Sequence, residues 1–246
     1  MTDTGALALV PAWRGFSARL AARSPADHAA LRPAADAGRI AGLEDGLGFA
    51  LHPRVRARLE LHDGVAPRPA GDTFPAGSFL PLAHRLLPAE HILARHRRYV
   101  ELFPADIRDP GGRGTPAGHA RWWVPIALPL DGGVLLVDHL PGPTCGHVYE
   151  MGIGSGDIEG SLWATSPADM FAALTDSLTT GRPFRHFVPD THRHISGEHR
   201  LDWRVARQPA PEAKRSGAMP GGGGGSGAVA AEGRTTGEYG VPGPER

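Results

Sequence analysis

The chain has 246 residues, 26 basic and 26 acidic, and so carries no formal net charge. That balance offers no phosphate-binding stripe and argues against direct nucleic-acid binding. Cys145 is the single cysteine, which excludes an intrachain disulfide and fits a reducing cytoplasm. No run approaches the roughly 18 apolar residues of a membrane span, and no leader pattern opens the sequence, so a soluble protein without a membrane partner is expected.

Residues 1–9 carry no distinctive pattern. Pro11 suits the first turn of a helix, with Trp13, Phe16 and Leu20 on one face, and Ser24-Pro25 stops it. A second helix starts at Asp36 as N-cap, carries Ile40, Leu43 and Leu47, and ends at Gly48. A short third helix turns Val55 and Leu59 inward and closes in Leu61-His62-Asp63-Gly64, where Asp-Gly marks a turn. Residues 65–77 read as a Pro- and Gly-rich loop, and Ser78 to Leu82 as a short strand. Pro88 opens a helix to about Phe103, with Ile92, Tyr99 and Leu102 on one face; Arg95, His96, Arg97 and Arg98 on the other read as a solvated face, with reception of an acidic partner as the functional alternative.

After a loop over 104–119, the stretch from Trp122 to Glu150 reads as three short strands joined by turns. Asp131-Gly132-Gly133 supplies a tight connection, and Pro141-Gly142-Pro143 a second. Val134 to Val137 is apolar throughout, the pattern of a strand buried on both faces in mid-sheet. Gly152 to Gly160 is a flexible connection before a strand over Ser161 to Ala164. Ser166-Pro167-Ala168-Asp169 has the form of a capping box, opening a helix with Phe171, Leu174 and Leu178 buried and Gly181 at its end. Residues 182–207 are rich in Arg and His, anchored by Phe184, Phe187 and Trp203. From Pro209 onward large apolar residues are sparse and Gly221 to Gly225 is pure glycine, the composition of a disordered tail.

The search for chemistry yields no catalytic constellation. Gly152-Ile153-Gly154-Ser155-Gly156 lacks the spacing and the following helix of a phosphate loop. Cys145 with His139 or His147 could form a thiol–imidazole pair, yet it follows a turn instead of opening a helix. His192, His194, Glu198 and His199 could converge on a metal, but no cysteine pair accompanies them and they read as surface. No metal and no cofactor are expected.

The ordered set of Trp13, Ile40-x-x-Leu43-Glu44-x-x-Leu47-Gly48 and Leu61-His62-Asp63-Gly64 resembles the SMI1/KNR4 family of the SUKH superfamily. So do Trp123-Val124-Pro125-Ile126-Ala127, Asp138-x-x-Pro141-Gly142-Pro143 with Gly146-x-Val148, and the helix after Ala164-x-Ser166. His147 departs from that pattern, which carries Gln there. The resemblance implies an α+β fold, with N-terminal helices packed on a mainly antiparallel sheet and a closing C-terminal helix. It divides the chain into a short segment 1–9, the domain 10–181, an Arg/His-rich extension 182–208 and the tail 209–246. It implies no enzymatic activity. Instead it implies a protein partner: a toxin domain, often a nuclease, neutralised by a bacterial immunity protein. A regulatory scaffold of the fungal cell-wall type is the alternative, and a small hydrolase using Cys145 a third. Asp63, Gly64, Asp138, Pro141, Gly142 and His147 are the candidate loop-shaping or partner-binding residues.

Overall fold

The computed structural model describes residues 4–102, 120–130, 132–152 and 160–206. Helix α1 spans Thr4–Arg23 and buries Leu9, Trp13, Phe16 and Leu20, spaced by four, three and four. It thus begins well before Pro11, and residues 4–9 are not a separate segment. Pro11 lies on the exposed side of the helix, where the carbonyl its missing N–H leaves free is open to water. Ser24 ends α1 as expected but also caps α2 (Pro25–Ala29), a helix the stop signal concealed. Helix α3 (Ala37–Leu47) is capped by Asp36 and closed by left-handed Gly48, and α4 (Pro53–Leu61) buries Val55 and Leu59.

Three expectations for the next segment are corrected. Ser78 to Leu82 is not a strand. Phe79 and Leu80 are buried, but Pro81–Ala83 is a 3-10 turn with Leu82 and Ala83 both at positive φ, and Leu80 pairs only with His84. The edge strand is instead β1 (Arg85–Leu86). Helix α5 (Ala89–Leu102) buries Ile92 and Tyr99, but Leu102 is 45% exposed at its far end. His96, which falls between Ile92 and Tyr99 on the same stripe, is buried and bonds the Arg121 carbonyl through Nε2 at 2.8 Å. Helical position, more than polarity, decides its burial.

The central sheet runs β1-β2-β3-β4-β5, antiparallel throughout. Its strands are β2 (Trp123–Leu128), β3 (Val134–Asp138), β4 (Val148–Met151) and β5 (Ser161–Ala164). Every residue of β3 is buried, as its mid-sheet position requires. One face carries Val124, Ile126, Leu135, Val137, Val148 and Trp163 into the main core with the helices. The other gathers Val134, Leu136 and Met151 around Tyr99, with Trp123 and Tyr149 partly buried. The two tryptophans separate accordingly: Trp122 lies 5.0 Å from the Phe49 ring, and Trp123 joins the second face.

Helix α6 (Pro167–Thr180) packs along α1, where Trp13 meets Phe171 edge-on at 4.7 Å. Its start is the expected cap: Ser166 accepts from the Asp169 N–H and donates to its carboxylate. Ser166→Ala is expected to cost about 1 kcal/mol of unfolding free energy, read by urea titration; an unchanged midpoint would deny the cap its role.

The Arg/His-rich segment carries a β-hairpin, β6 (Phe187–Arg193) and β7 (His199–Val205). Phe187, Leu201 and Trp203 join the main core, and the Trp203 indole donates to the Phe79 carbonyl at 2.8 Å, so the packed unit continues past residue 181. The antiparallel α+β arrangement is thus as expected, with this hairpin added. The loop 104–119, Asp131 of the first turn, the glycine loop beyond Gly152 and the tail from 209 lie outside the described residues.

Candidate functional site

The six candidate residues fall into two clusters, separated by the length of α4. At nine residues that helix is about 13 Å long. Asp63 and Gly64 follow its C-terminus, while Asp138, Pro141, Gly142 and His147 belong to a loop that touches His52 at its N-terminus. The structure therefore does not bring all six together.

Asp63 is buried, and its carboxylate joins three segments. Oδ1 accepts the Ala89 N–H at 2.7 Å, at the start of α5; Oδ2 meets Arg39 at 2.6 Å and Arg32 at 3.5 Å. An anion at a helix N-terminus is favoured by the unpaired N–H groups there. Gly64 makes this contact possible. Its φ is +68°, and an added Cβ would lie 2.4 Å from the Pro88 nitrogen, so any side chain would push α5 away. Beside it, burial lowers the Arg58 guanidinium to about 10, an effect that Asp63 partly offsets. Arg58 donates to the carbonyls of His62 and Leu87, tying the end of α4 to the approach of α5.

Asp138 does similar work at the other end. Its Oδ1 accepts the Leu140 N–H at 2.8 Å and its Oδ2 the Thr144 hydroxyl at 2.7 Å, while its carbonyl accepts the Gly146 N–H at 2.7 Å. The loop is thereby wound about one carboxylate, with Pro141, Gly142 and Pro143 exposed at its rim. His147 is half-buried and shares a 3.2 Å hydrogen bond with the Tyr149 hydroxyl. Burial and the nearby Asp138 charge both raise the Tyr149 phenol above its usual range.

The thiol–imidazole idea meets a contrary geometry. The same two causes, partial burial and Asp138, raise the Cys145 thiol, which keeps it in its less nucleophilic form. The His139 ring is buried and held by the Val137 carbonyl at 2.9 Å, and His147 is turned to Tyr149. Among the described residues no hydrogen bond joins Cys145 to either imidazole. The histidines of the hairpin are also occupied singly: His194 bonds Asp72 and Ser196, and His192 lies 5.7 Å from the Phe74 ring.

Sequence reasoning did not foresee the burial of polar residues such as Asp27, Arg58, His84, His96, His139 and Arg200. Asp27 had a readable signal, since Ser24-Pro25-Ala26-Asp27 repeats the tetrapeptide at Ser166, and so did His96, at helical spacing between Ile92 and Tyr99. Among the described residues no helix is long and apolar enough to cross a membrane. No protein-family model matches the chain, and a search of curated proteins finds no relative.

Proposed function

We propose that the chain is a non-enzymatic protein-binding domain, an immunity protein that covers and neutralises a toxin domain in the cytoplasm. The observation that carries this reading is how the reactive-looking groups are used. Asp63 and Asp138 each spend both carboxylate oxygens on neighbouring loop and helix groups, and the Cys145 thiol is pushed toward its protonated form. Such bonds hold loops rigid at both ends of α4, and rigid loops lower the entropy lost on docking a protein. The order of helices, meander and closing helix supports the same reading through the SMI1/KNR4 resemblance.

The test captures proteins from the native lysate on the tagged chain, then expresses any multidomain candidate's C-terminal domain with and without it. A domain that kills cells alone and is silenced by this chain is the expected result. Cys145→Ser should leave that protection intact and change affinity by less than about twofold. Capture confined to envelope or metabolic proteins overturns the immunity assignment in favour of a scaffold. Turnover of any substrate that Cys145→Ser abolishes overturns the non-enzymatic one.

A further inference from the structure

Helix α5 leaves a shallow cleft of about 360 Å³ between itself and the sheet edge, lined by Leu87, His91, Ala94, Arg95, Arg98 and Leu128. We propose that this cleft is the docking site for an acidic segment of a partner protein that carries an apolar side chain between carboxylates.

Two features of the lining select that chemistry. His91, Arg95 and Arg98 stand at i, i+4 and i+7, one stripe of the helix covering about 10 Å. The acids of the same helix leave that stripe positive. Glu90 is turned to Arg32 at 2.9 Å, and Glu101 reaches only Arg98, at 3.6 Å on the open surface. Among the described residues the His91 and Arg95 side chains have no hydrogen bond or ion pair. The floor is different in kind. Leu87 precedes α5, Leu128 ends β2, and Ala94 is small enough to leave depth between them. A bare anion would use the rim and ignore this floor. A nucleic acid would want stacking aromatics and a longer cationic track, and the lining has neither. An apolar side chain seated on the leucines, with carboxylates on the arginine stripe, satisfies both parts.

The inference rests on the protein-binding reading and gives it a surface. Its test uses the full chain, labelled with nitrogen-15 and titrated with the blocked peptide Asp-Glu-Leu-Glu-Asp. Parallel titrations use Asp-Glu-Gly-Glu-Asp and sodium phosphate. Saturable shifts at the Leu87, Ala94, Arg95 and Leu128 amides are expected, weaker for the glycine peptide. Arg95→Glu should weaken binding about tenfold, whereas Arg97→Glu, the same charge change outside the cleft, should alter it less than about twofold. No saturable shift, equal losses in the two variants, or phosphate reproducing the peptide's shifts would each overturn the cleft. The two readings also separate in cells. Peptide binding with no toxin captured keeps the cleft and removes the immunity assignment. A toxin captured equally by Arg95→Glu keeps the assignment and removes the cleft.

Discussion

Asp27→Ala is expected to lower the unfolding free energy by about 4 kcal/mol in urea titration, a large part of the 5–15 kcal/mol typical of a domain. The carboxylate is fully buried, and its three partners come from three parts of the chain. Oδ1 accepts the Gly77 N–H at 2.8 Å; Oδ2 accepts the Leu201 N–H at 2.7 Å and lies 2.5 Å from the Ser24 hydroxyl. That hydroxyl is also 2.7 Å from the His199 carbonyl. Alanine would leave two backbone N–H groups buried without an acceptor, each costing about 1–3 kcal/mol, and would remove charge-assisted bonds besides. Asp27→Asn should cost about half as much, because its amide oxygen can replace one acceptor while its NH2 group faces a donor. The damage should concentrate in β6 and β7, whose amides should exchange with solvent far faster in the alanine variant. A loss below about 1 kcal/mol, or uniform protection across the hairpin, would mean that Asp27 does not anchor it.

The hairpin also shows where sequence reading runs out. α3, α4 and α6 are visible as apolar residues at helical spacing between recognisable caps, and β3 as an apolar run between turns, because those signals are local. β6 and β7 offer none of this. Their exposed positions are Thr191, His192, Arg193, His199, Arg204 and Val205, their core contacts are three scattered aromatic and aliphatic residues, and their anchor at Asp27 lies 174 residues before Leu201. Leu82 and His96 fail for a different reason. Leu82 belongs to a strand by composition but sits at φ 59°, and His96 belongs to solvent by polarity but sits on the buried stripe. The loop residues of the candidate site were readable, since Asp-Gly and Pro-Gly-Pro are turn chemistry in themselves. What those loops join was not readable. Asp63 reaches α5 and two arginines from separate segments, and the α5 cleft takes its floor from residues 87, 94 and 128.

Acid should weaken the fold before most carboxylates titrate, and His139 is the reason. The ring is buried, its Nδ1 bonds the Val137 carbonyl at 2.9 Å, and among the described residues its Nε2 has no hydrogen-bond partner. Phe49 and His52 flank it, with ring centroids at 5.6 and 6.1 Å. Burial is the main cause that lowers its pKa from 6.5 to about 4, the Val137 bond opposes this, and His52 and His96 add to the lowering. Between pH 6.5 and 4 the unfolded chain therefore binds a proton that the folded chain refuses. The contribution is fully present above pH 6.5 and is lost as pH falls toward 4, about 3 kcal/mol in all, at up to about 1.4 kcal/mol per pH unit. His96 is shifted in the same direction, by burial first, and its ring too lies near Phe49, at 6.1 Å, so the two effects add. Denaturant titrations at pH 7, 6, 5 and 4 should show this slope in the wild type. His139→Asn keeps a donor for the Val137 carbonyl without a titrating group, and should flatten the slope by about one proton. The carboxylates held low by their partners, Glu90, Asp169 and Glu198, are common to both proteins and drop out of the comparison. Equal slopes in the two proteins would mean that the loop opens to admit water and the proton without unfolding. The Phe49, Trp122 and His139 contact would then be a point of local opening between α3 and the sheet, not a part of the cooperative core.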